Sequence, residues 1–250
     1  MDLGGRKELF RALVGSHNYN LNTPESDKDY KIFIAPTFDD LYFNKQFSKS
    51  YIGETEDYDV HDIRKVSSLF WKANVNFLEV LFSEDIQLKY DVKNGTQTHK
   101  YLNDIFAMKN DIARMNLPYL YDACIGMHIT KKKQIDKGTS GTQHLVDKYG
   151  YDTKQAMHSI RILNFLRRFA DNEFTDFKQA IWYMEDEGNK EYLLDMKKGN
   201  CAKEEYYFVS EYYLNMIEQD YKDKYKVQKA DVETNNTLID LVKKIVKMQL

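Results

Sequence analysis

GSHNYNLNTPESDKDYKIFIAP, residues 15–36, decides how this chain is read. The run LFRALV before it is apolar and ends in Gly15-Ser16. YKIFIAP, residues 30–36, is rich in aromatic and β-branched residues and is stopped by proline, which predicts a strand. Ten residues separate Ser16 from Asp27, and Asp27 and Asp29 lead into that strand. On an extended chain residues i and i+2 share a face, about 7 Å apart at Cα. Asp27 and Asp29 therefore present two carboxylates side by side, with Lys28 turned away. Oxygen-only donors of this kind suit Mg²⁺. Two ions about 3.5–4 Å apart can clamp the attacking and leaving oxygens of a phosphoryl displacement. Gly15, with no side chain, lets a phosphate approach the backbone, and the Ser16 hydroxyl can donate to it. The plain alternative is a polar turn, TPESDKD, leading into an edge strand.

Working outward, a third extended stretch is expected at residues 57–61, followed by helices over IRKVSSLFWKAN and NFLEVLFS. From about residue 96 the periodicity is helical. Pro118 marks a break between HKYLNDIFAMKNDIARMN and YLYDACIGMHITKKKQID. Residues 138–151 read as a loop and residues 151–172 as a long helix. Two short strands are expected within residues 174–200, around Glu187-Gly188-Asn189, with helices at 202–221 and 237–248. The fold class is α+β: a small mixed sheet with helices in residues 1–95, then a mainly helical half, residues 96–250, completing the cleft.

Composition sets outer bounds. Hydrophobic residues are 42% and charged residues 30% of the 250, the balance of a soluble globular protein. A net charge of −3 excludes a basic nucleic-acid coat, so contact with nucleic acid needs a local patch. Cys124 and Cys201 form no CxxC pair and read as free thiols. The six histidines are scattered and suggest no zinc site. No apolar run approaches the roughly 20 residues that span a bilayer, and MDLGGRKELF is not a signal peptide. No membrane partner and a cytoplasmic location are expected, the host cytoplasm for a phage-encoded chain. The oligomeric state is not legible.

Strand, Gly-Ser, a loop of about ten residues and Asp-x-Asp on a strand together resemble the signature of the DNA polymerase β-like nucleotidyltransferase superfamily. Within it the chain is similar to nucleotidyltransferases encoded beside RNA ligases. The matching stretches are GSHNYNLNTPESDKDYKIF, DIRKVSSLFWKANVNFLEVLFS, YDTKQAMHSIRIL and LLDMKKGNCAKEE, in that order. Three residues depart from the pattern: His17 follows Gly-Ser, and Lys31-Ile32 follow soon after Asp-x-Asp.

The resemblance implies transfer of an NMP from an NTP such as ATP to an acceptor hydroxyl, with Mg²⁺, or Mn²⁺ in its place. RNA is the first acceptor and protein the second. The alternative is a non-catalytic nucleotide- or RNA-binding module that keeps the fold. The resemblance also implies a third metal-binding acid on a neighbouring strand. Asp59, flanked by Tyr58 and Val60, is preferred to Asp62, which stands where a helix N-cap belongs, and to Asp57, which has the same parity but lies further toward the acidic GETED loop. The metal and catalytic set is then Asp27, Asp29 and Asp59, with Gly15 and Ser16 on the phosphates.

On the long helix Lys154, His158 and Arg161 are spaced i, i+4, i+7, within about 60° of one another. Phe165 and Arg168 continue this stripe, and Ala156, Ile160, Leu163, Leu166 and Ala170 take the opposite, core-facing side. The pattern K-x-x-x-H-x-x-R recurs in the family. It implies that Lys154, His158 and Arg161 bind the nucleotide, with Lys154 and Arg161 on the β- and γ-phosphates. The lysine-rich run HITKKKQIDK is a lesser candidate for contact with an acidic acceptor.

Overall fold

The computed structural model describes residues 1–89 and 95–250. Its elements run β1 (Glu8–Val14), α1 (Ser16–Tyr19), β2 (Lys28–Ile34), α2 (Phe38–Tyr42), β3 (Ser48–Tyr51), β4 (Glu56–Asp62), α3 (Val66–Trp71), α4 (Val75–Leu78) and β5 (Ile86–Leu88). They continue as α5 (Gly95–Ala107), α6 (Lys109–Arg114), α7 (Leu117–Gln134), α8 (Gln143–Tyr149), α9 (Thr153–Asp171) and α10 (Phe177–Ile181). The last are α11 (Gly188–Lys198), α12 (Lys203–Met216), α13 (Lys222–Lys226) and α14 (Val232–Gln249). The class is α+β, a five-stranded mixed sheet followed by a mainly helical half.

Contacts divide the chain into two compact units. Unit 1 comprises residues 1–116 and 230–250, and unit 2 comprises residues 117–229. The division expected at 95/96 adjoins residues 90–94, which lie outside the described residues.

In unit 1 the strand order is β3-β4-β2-β1-β5. β2 and β4 are parallel and the other neighbours antiparallel. Alternation decides what each face does. Ile32, Ile34 and Val60, fully buried, form a core on one face with Tyr51 and Tyr58 against it. The opposite face is aromatic: Phe33 stacks on Phe10 at 4.8 Å, and His61 meets Phe77 edge-on at 5.1 Å. α14 packs on α5 and α3. Asp40, buried in the α2 capping box, accepts from the Arg6 guanidinium, Nε to Oδ2 at 2.7 Å.

In unit 2, α9 is the central element, with α7, α10, α11 and α12 packed around it. Its aromatic end is dense: Phe165 lies 5.6 Å from Phe169 and 5.2 Å from Phe177.

Several local expectations are corrected. The stretch 174–200 holds two helices, α10 and α11, in place of two strands. Asp176 caps the first through the Gln179 amide, and Gly199, with φ +81°, closes the second in the left-handed conformation. The loop at 138–151 contains α8, closed by Gly150 at φ +78°. The break expected at Pro118 is present: α6 ends at Arg114, and Pro118 sits in the first turn of α7, where its missing amide hydrogen costs nothing. Among the described residues no helix is long and apolar enough to cross a membrane.

Candidate active site

β1 and β2 are paired so that Val14 lies opposite Asp29. The chain leaves β1 at Gly15 with φ +70° and enters α1 directly. A Cβ on Gly15 would lie 2.6 Å from Asp29 Oδ2, so only glycine fits between the turn and that carboxylate. The structure thus brings Gly15, Ser16 and Asp29 together. Asp27 is exposed and immediately precedes the first residue of β2. The loop between Ser16 and Asp27 is folded back on itself: the Thr23 amide donates to Ser26 Oγ at 2.9 Å.

What holds the Gly-Ser turn was not legible in the sequence. Glu79, 2% exposed, accepts from the Gly15 amide at 2.9 Å and from Asn18 Nδ2 at 3.3 Å. It also accepts the hydroxyl of Tyr19. A buried carboxylate with three donors is a strong anchor. Its consequence is that the Gly15 amide is engaged with Glu79, leaving the glycine's role as clearance beside Asp29. The available signal was an acid within the apolar run NFLEVLFS.

The third carboxylate has three candidates on β4. Register places Asp57 level with Asp29, Asp59 level with Lys31 and Asp62 level with Ile34. Asp62 is fully buried and caps the turn after β4, accepting from the Arg64 amide at 2.9 Å and its guanidinium at 2.6 Å. Asp59 accepts from His61 Nε2 at 2.8 Å, Lys31 Nζ at 3.0 Å and Ser50 Oγ at 3.1 Å. Burial opposes its charge. The His61 hydrogen bond and the Lys31 charge outweigh that and hold the Asp59 carboxyl well below the usual carboxylate range. Asp57, on the same face by alternation, accepts from the Gly53 amide at 3.1 Å.

The donors at this end of the sheet are carboxylate oxygens, the chemistry Mg²⁺ prefers. Among the described residues no three His, Cys, Asp or Glu side chains converge into a metal cage. Mg²⁺ needs no such cage: it is commonly held by one or two carboxylates, with waters and substrate phosphates filling the other positions. The residues present fit the ion on those terms.

The stripe on α9 is partly enclosed. Ala156, Ile160, Leu163, Leu166 and Ala170 are buried as expected. Phe165 at 1% and Arg161 at 3% exposure are buried as well, so the cationic edge is not an open surface. Lys154 is exposed and His158 half-buried. Arg168 turns to Glu187 at 2.6 Å and to the Gln179 carbonyl at 2.7 Å, a bracing role. The cause is the packing of helices around α9, which periodicity alone does not convey. His158 is pushed well below its ordinary value by burial and by the charges of Arg161, Lys131, Lys154 and Lys197.

A family model for the RNA repair pathway DNA polymerase beta family matches residues 5–240. The chain belongs to that family, as the Gly-Ser and Asp-x-Asp spacing suggested. No curated protein matches the chain.

Proposed function

We propose that this member of the RNA repair pathway DNA polymerase beta family transfers an NMP from an NTP to an acceptor hydroxyl, releasing pyrophosphate. The observation that carries the reading is the Gly15–Asp29 junction. A left-handed glycine, beside a carboxylate it alone can accommodate, opens a Gly-Ser turn at the end of β1, next to the start of β2, with Asp29 on that strand and Asp27 just before it.

Asp27 and Asp29 would hold Mg²⁺, or Mn²⁺, whose positive charge stabilises the triphosphate and the charge developing on the leaving group. A carboxylate of β4 completes the set and takes the proton of the acceptor hydroxyl, directly or through water. Asp59 is the assignment that sequence favours, and the register favours Asp57, which stands level with Asp29. The engagement of Asp59 with Lys31, His61 and Ser50 tips our reading to Asp57. The acceptor oxygen bonds to the α-phosphorus as the bond to the β-phosphate oxygen breaks. Ser16 orients the phosphates. Within unit 2, Lys154, His158 and Arg161 are proposed as phosphate-binding side chains, as the family pattern implies. RNA is the first acceptor, in keeping with a family named for RNA repair, and protein the second.

The test supplies each NTP labelled at the α- or the γ-phosphate, with Mg²⁺ and the RNA or protein fraction of a cell extract. Label from the α position alone should appear on one fraction. Transfer of γ-label would make the protein a kinase. Tight NTP binding with no transfer to either fraction would make it a non-catalytic binding module.

A further inference from the structure

We infer that Lys131 and Lys197 join Lys154, His158 and Arg161 in a single phosphate-chain site within unit 2, one that grips the polyphosphate of a nucleotide rather than its base. The identity of the ligand rests on the nucleotidyltransferase reading. The site itself rests on three observations within residues 117–229.

The first is convergence. α7 and α11 both pack on α9. Lys131 Nζ of α7 donates to Gln155 Oε1 of α9 at 3.0 Å. On the other side Thr153 Oγ1 of α9 donates to the Lys197 carbonyl of α11 at 3.0 Å. Lys131 thus meets α9 through its ammonium, and Lys197, held to α9 by its main chain, acts on His158 through its charge.

The second is the setting of Lys131. The acceptor facing the Lys131 ammonium is a neutral amide. Asp152, whose charge also acts on Lys131, is already engaged: it caps α9 through the Gln155 amide at 2.9 Å and accepts the Thr142 hydroxyl. Burial and the neighbouring Arg161 and Lys154, opposed by Asp152, push Lys131 down to about 8. Crowding like charges on a half-buried lysine costs free energy that a bound polyanion would return.

The third is an orphaned polar atom. His158 Nδ1 is buried and has no hydrogen-bond partner among the described residues. It lies within reach of the charges of Lys131, Lys154, Arg161 and Lys197. An imidazole kept neutral there retains one N–H, and a phosphate oxygen is an acceptor it can satisfy. Arginine and lysine are the side chains suited to phosphate oxygens; the edge of a base calls for amide or carboxylate partners as well.

The sign of the pH dependence follows. Acting on Lys131 are Asp152 at the α9 N-cap and Lys154 and Arg161 of α9, and Lys131 in turn acts on His158, as does Lys197 of α11. Lys131 is charged below about pH 8 and loses its proton above it. Phosphate-chain affinity should therefore fall as pH rises through that value.

The experiment is calorimetry of inorganic tripolyphosphate on the full chain, without divalent metal, at pH 7 and pH 9. The wild-type protein should bind at pH 7 and more weakly at pH 9. Lys131→Ala should weaken binding at least tenfold at pH 7, with NTP affinity falling in the same proportion. Lys131→Arg keeps its charge at both pH values, so it should bind at pH 7 and lose the alkaline fall. Three results would overturn the site: no tripolyphosphate binding, binding indifferent to Lys131→Ala, or the same alkaline fall in Lys131→Arg. Asp29→Asn separates the two readings. Its tripolyphosphate affinity should be unchanged. Full nucleotide transfer by Asp29→Asn would defeat the reaction assignment and leave this site standing. Normal transfer by a wild-type protein that ignores tripolyphosphate would defeat this site alone.

Discussion

At the start of β2 and β4 the charged groups stand near the surface, set by strand alternation and by one glycine. Along α9 they run from the exposed Lys154 to the buried Arg161, set by helices that arrive from elsewhere in the chain. Asp27 is exposed and Asp29 half-buried, and their spacing needs only a local extended backbone. Arg161 is 3% exposed, and Lys131 reaches Gln155 from a different helix. The Asp27–Asp29 pair is a local construction, whereas the cationic cluster is a tertiary one. Substitution of Asp27, Asp29 or Asp57 should cost chemistry with little stability, whereas substitution of the buried Arg161 should cost binding and stability together.

The largest loss of stability should come from the anchor beneath the acidic end. Glu79→Ala leaves the Gly15 amide, Asn18 and Tyr19 without their shared acceptor and should cost about 3 kcal/mol by urea unfolding. A cost under about 0.5 kcal/mol would mean the turn holds itself. Next is Arg161→Ala, which removes a buried side chain from unit 2. It should cost about 2 kcal/mol through lost packing, and NTP affinity should fall more than NMP affinity. Equal losses for both nucleotides would detach Arg161 from the triphosphate.

Asp59→Asn should cost about 1 kcal/mol, modest because that side chain is 36% exposed and solvent screens its pairs. Its folded carboxyl titrates below the unfolded value of about 3.9, so the difference from wild type is complete above that pH and shrinks as pH falls beneath it. Asp57→Asn should leave stability nearly unchanged and cut transfer at least a hundredfold. The reverse pattern in activity would return the third-carboxylate role to Asp59. Smallest of all, Lys154→Ala on the exposed flank of α9 should shift stability by less than about 0.5 kcal/mol.

The same contrast explains what could be read from residues alone. β1, β2 and β4 were legible because alternating apolar runs, Gly-Ser and proline are local signals. β3 and β5 were not: SKSY is a short polar edge strand, and IQL is three residues long. Residues 174–200 read as strands because the hairpin-like turn at Glu187-Gly188 outweighed the Asp176 cap and the Gly199 terminator. α9 was recognisable as a helix, while its enclosure depends on α7, α10, α11 and α12, which no spacing within it reveals. Glu79 lies 64 positions from Gly15, and nothing in either segment points to the other.

The central claim is that Asp27 and Asp29 carry nucleotide transfer. Its most direct test is single-turnover transfer of α-labelled NMP by Asp27→Asn and Asp29→Asn, alongside the melting temperature of each variant. Transfer should fall by about a thousandfold or more in both, a loss of roughly 4 kcal/mol in transition-state stabilisation, with the melting temperature essentially unchanged. Turnover within a fewfold of wild type in either variant would contradict it.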